Sequence, residues 1–135
     1  MPETFWAWLA GFIDGDGHLG IYPAGATLEI VNVDTETLKW IHDTLGFGYY
    51  SPLQTNGGRQ RQPWKWGCYG NGLRVVLPRI IPYLRVKHER AVLLLEYVER
   101  FKHPGKKRTE EELAVRQELK ERIAVLNKRS YAGLA

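Results

Sequence analysis

The sequence predicts an α+β fold, one antiparallel sheet with helices packed on one of its faces. Three observations point there. Apolar residues alternate through two hairpin-like stretches, each stretch follows a segment of helical periodicity, and three further helical patterns close the chain. The order is α-β-β-α-β-β-α-α-α, a weak internal repeat. A chain of 135 residues suits a single domain over 1–135, and leaves little room for a second. With 44% hydrophobic and 12% aromatic residues, wholesale disorder is excluded.

The first helix is expected over roughly 4–14, capped by Thr4, with Trp8, Leu9, Phe12 and Ile13 at helical spacing and Gly15 and Gly17 as the stop. From His18 to Val33 the pattern alternates around a Pro-Ala-Gly turn at 23–25, with Leu19, Ile21, Leu28 and Ile30 on one face. The segment 34–46 reads as a helix capped by Asp34 or Thr35 and stopped by Gly46, with Leu38, Ile41 and Leu45 buried. A second hairpin follows, joined by a Gly-rich basic connection. A third helix starts at Asn71, and Pro78 should kink or shorten it. A fourth spans roughly 87–101, with Ala91, Leu94, Leu95, Val98 and Phe101 on one side. After a linker at 103–108, a charged amphipathic helix covers about 109–127, with Val115, Leu119, Ile123 and Leu126 inward.

The lone Cys68 rules out an intrachain disulfide framework and a multi-cysteine zinc site. No apolar run approaches a membrane span, so no membrane partner is expected. The N-terminal segment lacks the basic region of a signal peptide, which predicts a soluble intracellular protein. The net charge of +4 divides unevenly. Residues 1–58 carry one base against seven acids, residues 59–108 thirteen bases against three acids, and residues 109–135 five of each. A polyanion partner or solvated helix faces would both account for the basic middle.

Residues 9–17 read Leu-Ala-Gly-Phe-Ile-Asp-Gly-Asp-Gly. This run closely resembles the signature of the LAGLIDADG homing endonucleases, and the helix–hairpin–helix–hairpin order after it fits as well. The similarity covers most of 4–101. The segment 82–96 resembles the family's stretch that carries an active-site lysine, here Lys87. The resemblance implies a αββαββα fold with a saddle-shaped sheet, acting as a homodimeric, metal-dependent, double-strand DNA endonuclease on a long, roughly palindromic site. It implies sheets in the major groove, cleavage across the central minor groove, and short 3′ overhangs. Asp16 would hold Mg²⁺, or another divalent cation such as Mn²⁺, with Gly15 contributing to the same metal site. Asp34 would orient water, or cap its helix, or both. Where relatives carry a further base in the second helix, this chain has Leu38. Intron RNA, as a maturase substrate, is the alternative partner, and a non-cleaving DNA-binding regulator is another reading.

The residues make physical sense of that motif. Ala7, Gly11 and Gly15 lie at i, i+4 and i+8, a smooth stripe that lets a second helix approach closely. With Ala10 and Asp14 they form the expected dimer interface, although Asp14 could equally cap within its own chain. A two-fold axis would bring two Asp16 carboxylates together beside two negative helix ends, which calls for oxygen-liking divalent cations. Strand parity assigns His18, Gly20, Tyr22, Thr27, Glu29 and Val31 to a DNA-facing surface. Ser51, Gln54, Arg59, Arg61, Gln62, Lys65 and Tyr69 of the second hairpin are expected to join it, with donors suited to phosphates and guanine edges. Trp64 and Trp66 are placed on the core side, because burying them is worth several kcal/mol in all.

Overall fold

The computed structural model describes residues 1–54, 61–102 and 107–132, with side chains described as far as residue 128. Helix α1 (Glu3–Asp16) leads directly into strand β1 (Gly17–Tyr22), which turns into β2 (Gly25–Asn32). Helix α2 (Thr35–Leu45) follows, then β3 (Tyr49–Pro52) and β4 (Trp64–Tyr69). Helix α3 (Asn71–Ile80) runs into a short 3₁₀ turn, Ile81–Tyr83, before α4 (His88–Arg100) and α5 (Glu110–Ala132). The strands form one antiparallel sheet in the order β1-β2-β4-β3, so the two hairpins meet through β2 and β4. The α+β architecture read from the sequence is the one observed.

Parity follows the expected division. Leu19, Ile21, Leu28, Ile30, Trp66 and Cys68 are buried on the helix side, with Leu9, Ile13, Leu38, Ile41, Leu73, Leu77 and Leu94 packed against them. Each such aliphatic side chain taken fully from water stabilises the fold by about 1.5–3 kcal/mol. Trp66 is wholly inside. Trp64, at the margin of the same face, packs on Tyr50 with ring centroids 4.4 Å apart.

The helix ends show which local signals held. Asp34 caps α2, its Oδ1 accepting the Thr37 N–H at 3.1 Å, and Gly46 closes the helix at φ +78, where any other residue would be strained. Thr109 and Glu112 form a reciprocal capping box at the start of α5. Thr4, by contrast, lies within α1 and caps nothing: the helix starts one residue earlier, where the Phe5 N–H bonds the Pro2 carbonyl. Gly15 is likewise inside α1, which runs on to Asp16 because residues from 85–87 bind its last turn. Gly17 is the true stop. A Cβ there would lie 2.7 Å from Ile13 Cγ2, so only glycine lets β1 leave the helix this closely.

Helix α3 runs through Pro78 and ends two residues later at Ile80, where the chain tightens into the 3₁₀ turn that carries Pro82. Helix α5 is longer than expected and docks on the domain through Leu119 and Ile123, with Asn127 Nδ2 donating to the Leu19 carbonyl at 3.1 Å. Arg116 reaches back to the Tyr22 and Pro23 carbonyls. Arg90, which composition would place on a solvated helix back, is buried and donates to the Leu126 carbonyl at 3.2 Å. No helix among the described residues is long and apolar enough to cross a membrane.

Candidate active site and nucleic-acid face

Asp16 ends α1 with its side chain exposed. A carboxylate at a helix C-terminus meets the negative end of the helix dipole, so its place there is unfavourable without cations nearby. Two groups answer this. The Lys87 ammonium donates to the Asp14 carbonyl at 2.6 Å and to the Ile13 carbonyl at 3.1 Å, satisfying carbonyls of the last turn. Asn32 Nδ2 donates to Asp16 Oδ2 at 2.9 Å.

Asn32 also ties the site together. Its Oδ1 accepts the Asp34 N–H at 2.8 Å, so one side chain links the end of α1 to the start of α2. Sequence reasoning missed this residue. The signal was present: Asn32 shares strand parity with the core residues Leu28 and Ile30, and a polar side chain on a core-facing register needs a partner.

Asp14 turns both carboxylate oxygens to its own chain. Its Oδ2 accepts the Arg85 N–H at 2.8 Å and its Oδ1 the Lys87 N–H at 3.0 Å, clasping the 85–87 turn to α1. That clasp carries Lys87 to its position. Burial, reinforced by Arg90 and opposed by Asp14 and Asp16, holds the Lys87 ammonium below its ordinary value. Asp34 has its Oδ1 on the cap of α2 and the rest of its carboxylate exposed.

On the expected interface, Gly11 and Gly15 are exposed, and a Cβ added at either would meet nothing within 4 Å. Their smallness is therefore not required within one chain. Ala7 is half-buried beside them. Ala10 is a correction: it is wholly buried in the core with Leu9 and Ile13, because position 10 falls on the inward side of the helix. Trp8 replaces it on the outer side, 41% exposed, against Phe12 and Trp40 at ring-centroid distances of 5.2 and 5.0 Å.

The outward face of the sheet holds His18, Gly20, Tyr22, Thr27, Glu29, Val31, Ser51, Lys65 and Tyr69, as parity requires. Gly20 is covered by the ring of Tyr22, whose hydroxyl bonds His18 Nε2. Burial lowers His18 from its ordinary value near 6.5, opposed by Glu29 and reinforced by Arg90 and Lys87. Gln54 and Arg61 are exposed beside the hairpin. Gln62 spends its amide on the Leu53 and Pro63 carbonyls, closing the hairpin stem. Arg59 lies outside the described residues. Tyr49, not anticipated, belongs to this face as well.

No protein-family model and no curated protein sequence matches the chain. Solved structures do. The homing endonuclease I-CvuI, crystallised in complex with an uncleaved DNA target in the presence of Mg, is 23% identical, with a TM-score of 0.71 over 92% of this chain and 82% of that one. The homing endonuclease I-TnaI is 16% identical with a TM-score of 0.61, over 96% of this chain and 97% of that one. I-AabMI, a LAGLIDADG meganuclease bound to uncleaved DNA, is 19% identical with a TM-score of 0.64; the match spans 90% of this chain but 46% of that one. Helix, hairpin, helix, hairpin and the following helices thus superpose as a unit, and the fold of this chain is that of the LAGLIDADG homing endonucleases.

Proposed function

We propose that the chain is a metal-dependent, double-strand DNA endonuclease that works as a homodimer. Fold alone would not carry this, since one scaffold can host many activities. The observation that carries it is the assembly at the end of α1: an exposed Asp16 carboxylate oriented by Asn32, next to the Lys87 ammonium, at the end of a helix whose glycine face is open. The +10 balance of residues 59–108 supports a polyanionic substrate.

The donor set fits Mg²⁺ or Mn²⁺. Asp16 and the backbone carbonyl of Gly15 offer oxygen alone, the ligand type that hard divalent cations prefer. No group of three or more His, Cys, Asp or Glu side chains among the described residues could hold a metal within one chain. A second copy placed across the Gly11–Gly15 face brings the second Asp16. The 46% coverage of I-AabMI supports the same arithmetic, because one copy of this chain matches less than half of that nuclease.

A cation held there supplies a Lewis acid and an activated water for phosphodiester hydrolysis. The chain's own groups do the rest. Lys87 offers positive charge to the phosphate as negative charge develops on it. Asn32 keeps the Asp16 carboxylate in one orientation and fixes the Asp34 backbone, so the free oxygen of Asp34 can accept a hydrogen bond from the attacking water. The outward sheet face binds the duplex.

Metal removal tests this reading. Incubated with DNA containing its site, the protein should cut in Mg²⁺, stop fully in excess chelator, and resume when Mg²⁺ is restored. Cutting that persists in chelator would contradict it.

A further inference from the structure

Two tyrosines on the outward face lie flat across glycines. Tyr22 folds back over Gly20 to His18, and Tyr49 crosses β4 over Gly67 to reach β2. The second crossing is the more consequential. His18, Glu29, Gly67 and Tyr49 form a single rung across all four strands, paired His18 to Glu29, Glu29 to Gly67, and Gly67 to Tyr49. A Cβ at Gly67 would come within 2.8 Å of Tyr49 Cε2, so the glycine is what opens this path. Through it the Tyr49 hydroxyl donates to Glu29 Oε2 at 2.8 Å, and Lys65 Nζ stands 3.2 Å from the same oxygen. Tyr69 stacks on the outer side of Tyr49, and the Lys65 ammonium lies 5.6 Å from the Tyr49 ring centre. Among the described residues, no hydrogen-bond partner falls on Glu29 Oε1.

A carboxylate fixed in the middle of a DNA-facing sheet is repelled by phosphate. Tyr49 and Lys65 hold one oxygen and leave Oε1 to accept, and the major-groove base edges offer donors solely as the amines of cytosine and adenine. Adenine sets its N7 acceptor beside that amine, against the carboxylate, and its thymine partner places a methyl group beside the acceptor Lys65 would need. Cytosine presents the amine without such a neighbour, and the paired guanine offers O6 and N7 to a lysine. Resting on the nuclease reading above, we propose that Glu29 and Lys65 together read one C·G base pair in each half-site. Glu29 accepts from cytosine N4, Lys65 donates to guanine, and Tyr49 is a positioning residue that holds the carboxylate through Gly67.

Selection of cut sites from a randomised duplex library, with the wild type and with Glu29→Gln, Tyr49→Phe and Lys65→Gln, tests this. The wild type should show a C·G pair at one symmetric position, preferred about tenfold over other pairs. Glu29→Gln should erase that preference at that position alone. Tyr49→Phe, which removes only the hydroxyl, should weaken it there and leave the other positions as they were. Lys65→Gln should lower discrimination at the same pair. A uniform loss over all sequences, with a salt slope shallower by about one, would instead put Lys65 on phosphate and overturn the paired readout. Selected sites whose preferences Glu29→Gln and Tyr49→Phe leave unchanged, or shift at an A·T pair, overturn this inference while the nuclease reading stands. A wild type that selects no sequence overturns both.

Discussion

Asp14 and Asp16 stand two residues apart in α1, and their oxygens do different things. Asp14 spends both on the backbone N–H groups of Arg85 and Lys87, whereas Asp16 spends one on Asn32 and presents the other outward. The motif ranks Asp16 above Asp14 as a metal ligand, but only the fold reveals that Asp14 builds the seat for Lys87. Asn32 is the residue on which orientation turns. Replacing it by alanine should slow cleavage about 10–100-fold, the usual cost of removing a group that orients a metal ligand. Single-turnover rates at saturating DNA would measure this, and a variant that melts earlier yet cuts at the wild-type rate would assign Asn32 a purely structural role. His18 gives a pH dependence. Its folded value is lowered by burial, so the unfolded chain binds more protons as pH falls from about 7 to 5, and stability falls with it. In His18→Gln the denaturant midpoint should vary less steeply over that window, and an unchanged slope would contradict the assignment.

Helix α1 shows what a linear pattern conveys and where it stops. Its existence, the buried Leu9 and Ile13, and the open stripe of Gly11 and Gly15 were all legible from spacing. Ala10 was not, because small size suggests an interface while angular position decides it, and position 10 points inward. Trp8 misleads in the other direction: its bulk and spacing suggest core, yet it sits on the rim with Trp40, 47% exposed. Phe12, Trp8 and Trp40 thus flank the open glycines with apolar surface. Gly11→Leu should fold, since nothing lies within 4 Å of an added Cβ, yet be monomeric by sedimentation with an unchanged circular dichroism spectrum. A dimeric Gly11→Leu protein would sink the interface. Strand parity was the most reliable guide, placing the outward face residue by residue. It could not foresee Tyr49 reaching Glu29 across Gly67, which depends on β2 and β4, strands of different hairpins, being adjacent in the sheet.

At the scale of the whole molecule, charge and topology agree. The acidic first segment, with one base against seven acids, supplies Asp16 and Asp34, the cap of α2; the basic segment that follows supplies Lys65 and Lys87. The fold brings Asp16, Asp34 and Lys87 together at one end of α1. The docking of α5 lay beyond what composition could give, because its link to β1 runs through Asn127 and Arg116, whose partners are backbone carbonyls about a hundred residues away. The role of Asp16 in cleavage is tested most directly by comparing wild type with Asp16→Asn on the same selected DNA site in Mg²⁺. Both proteins should bind the site with similar affinity, and only the wild type should cut it. Equal cutting by the two proteins would contradict that role.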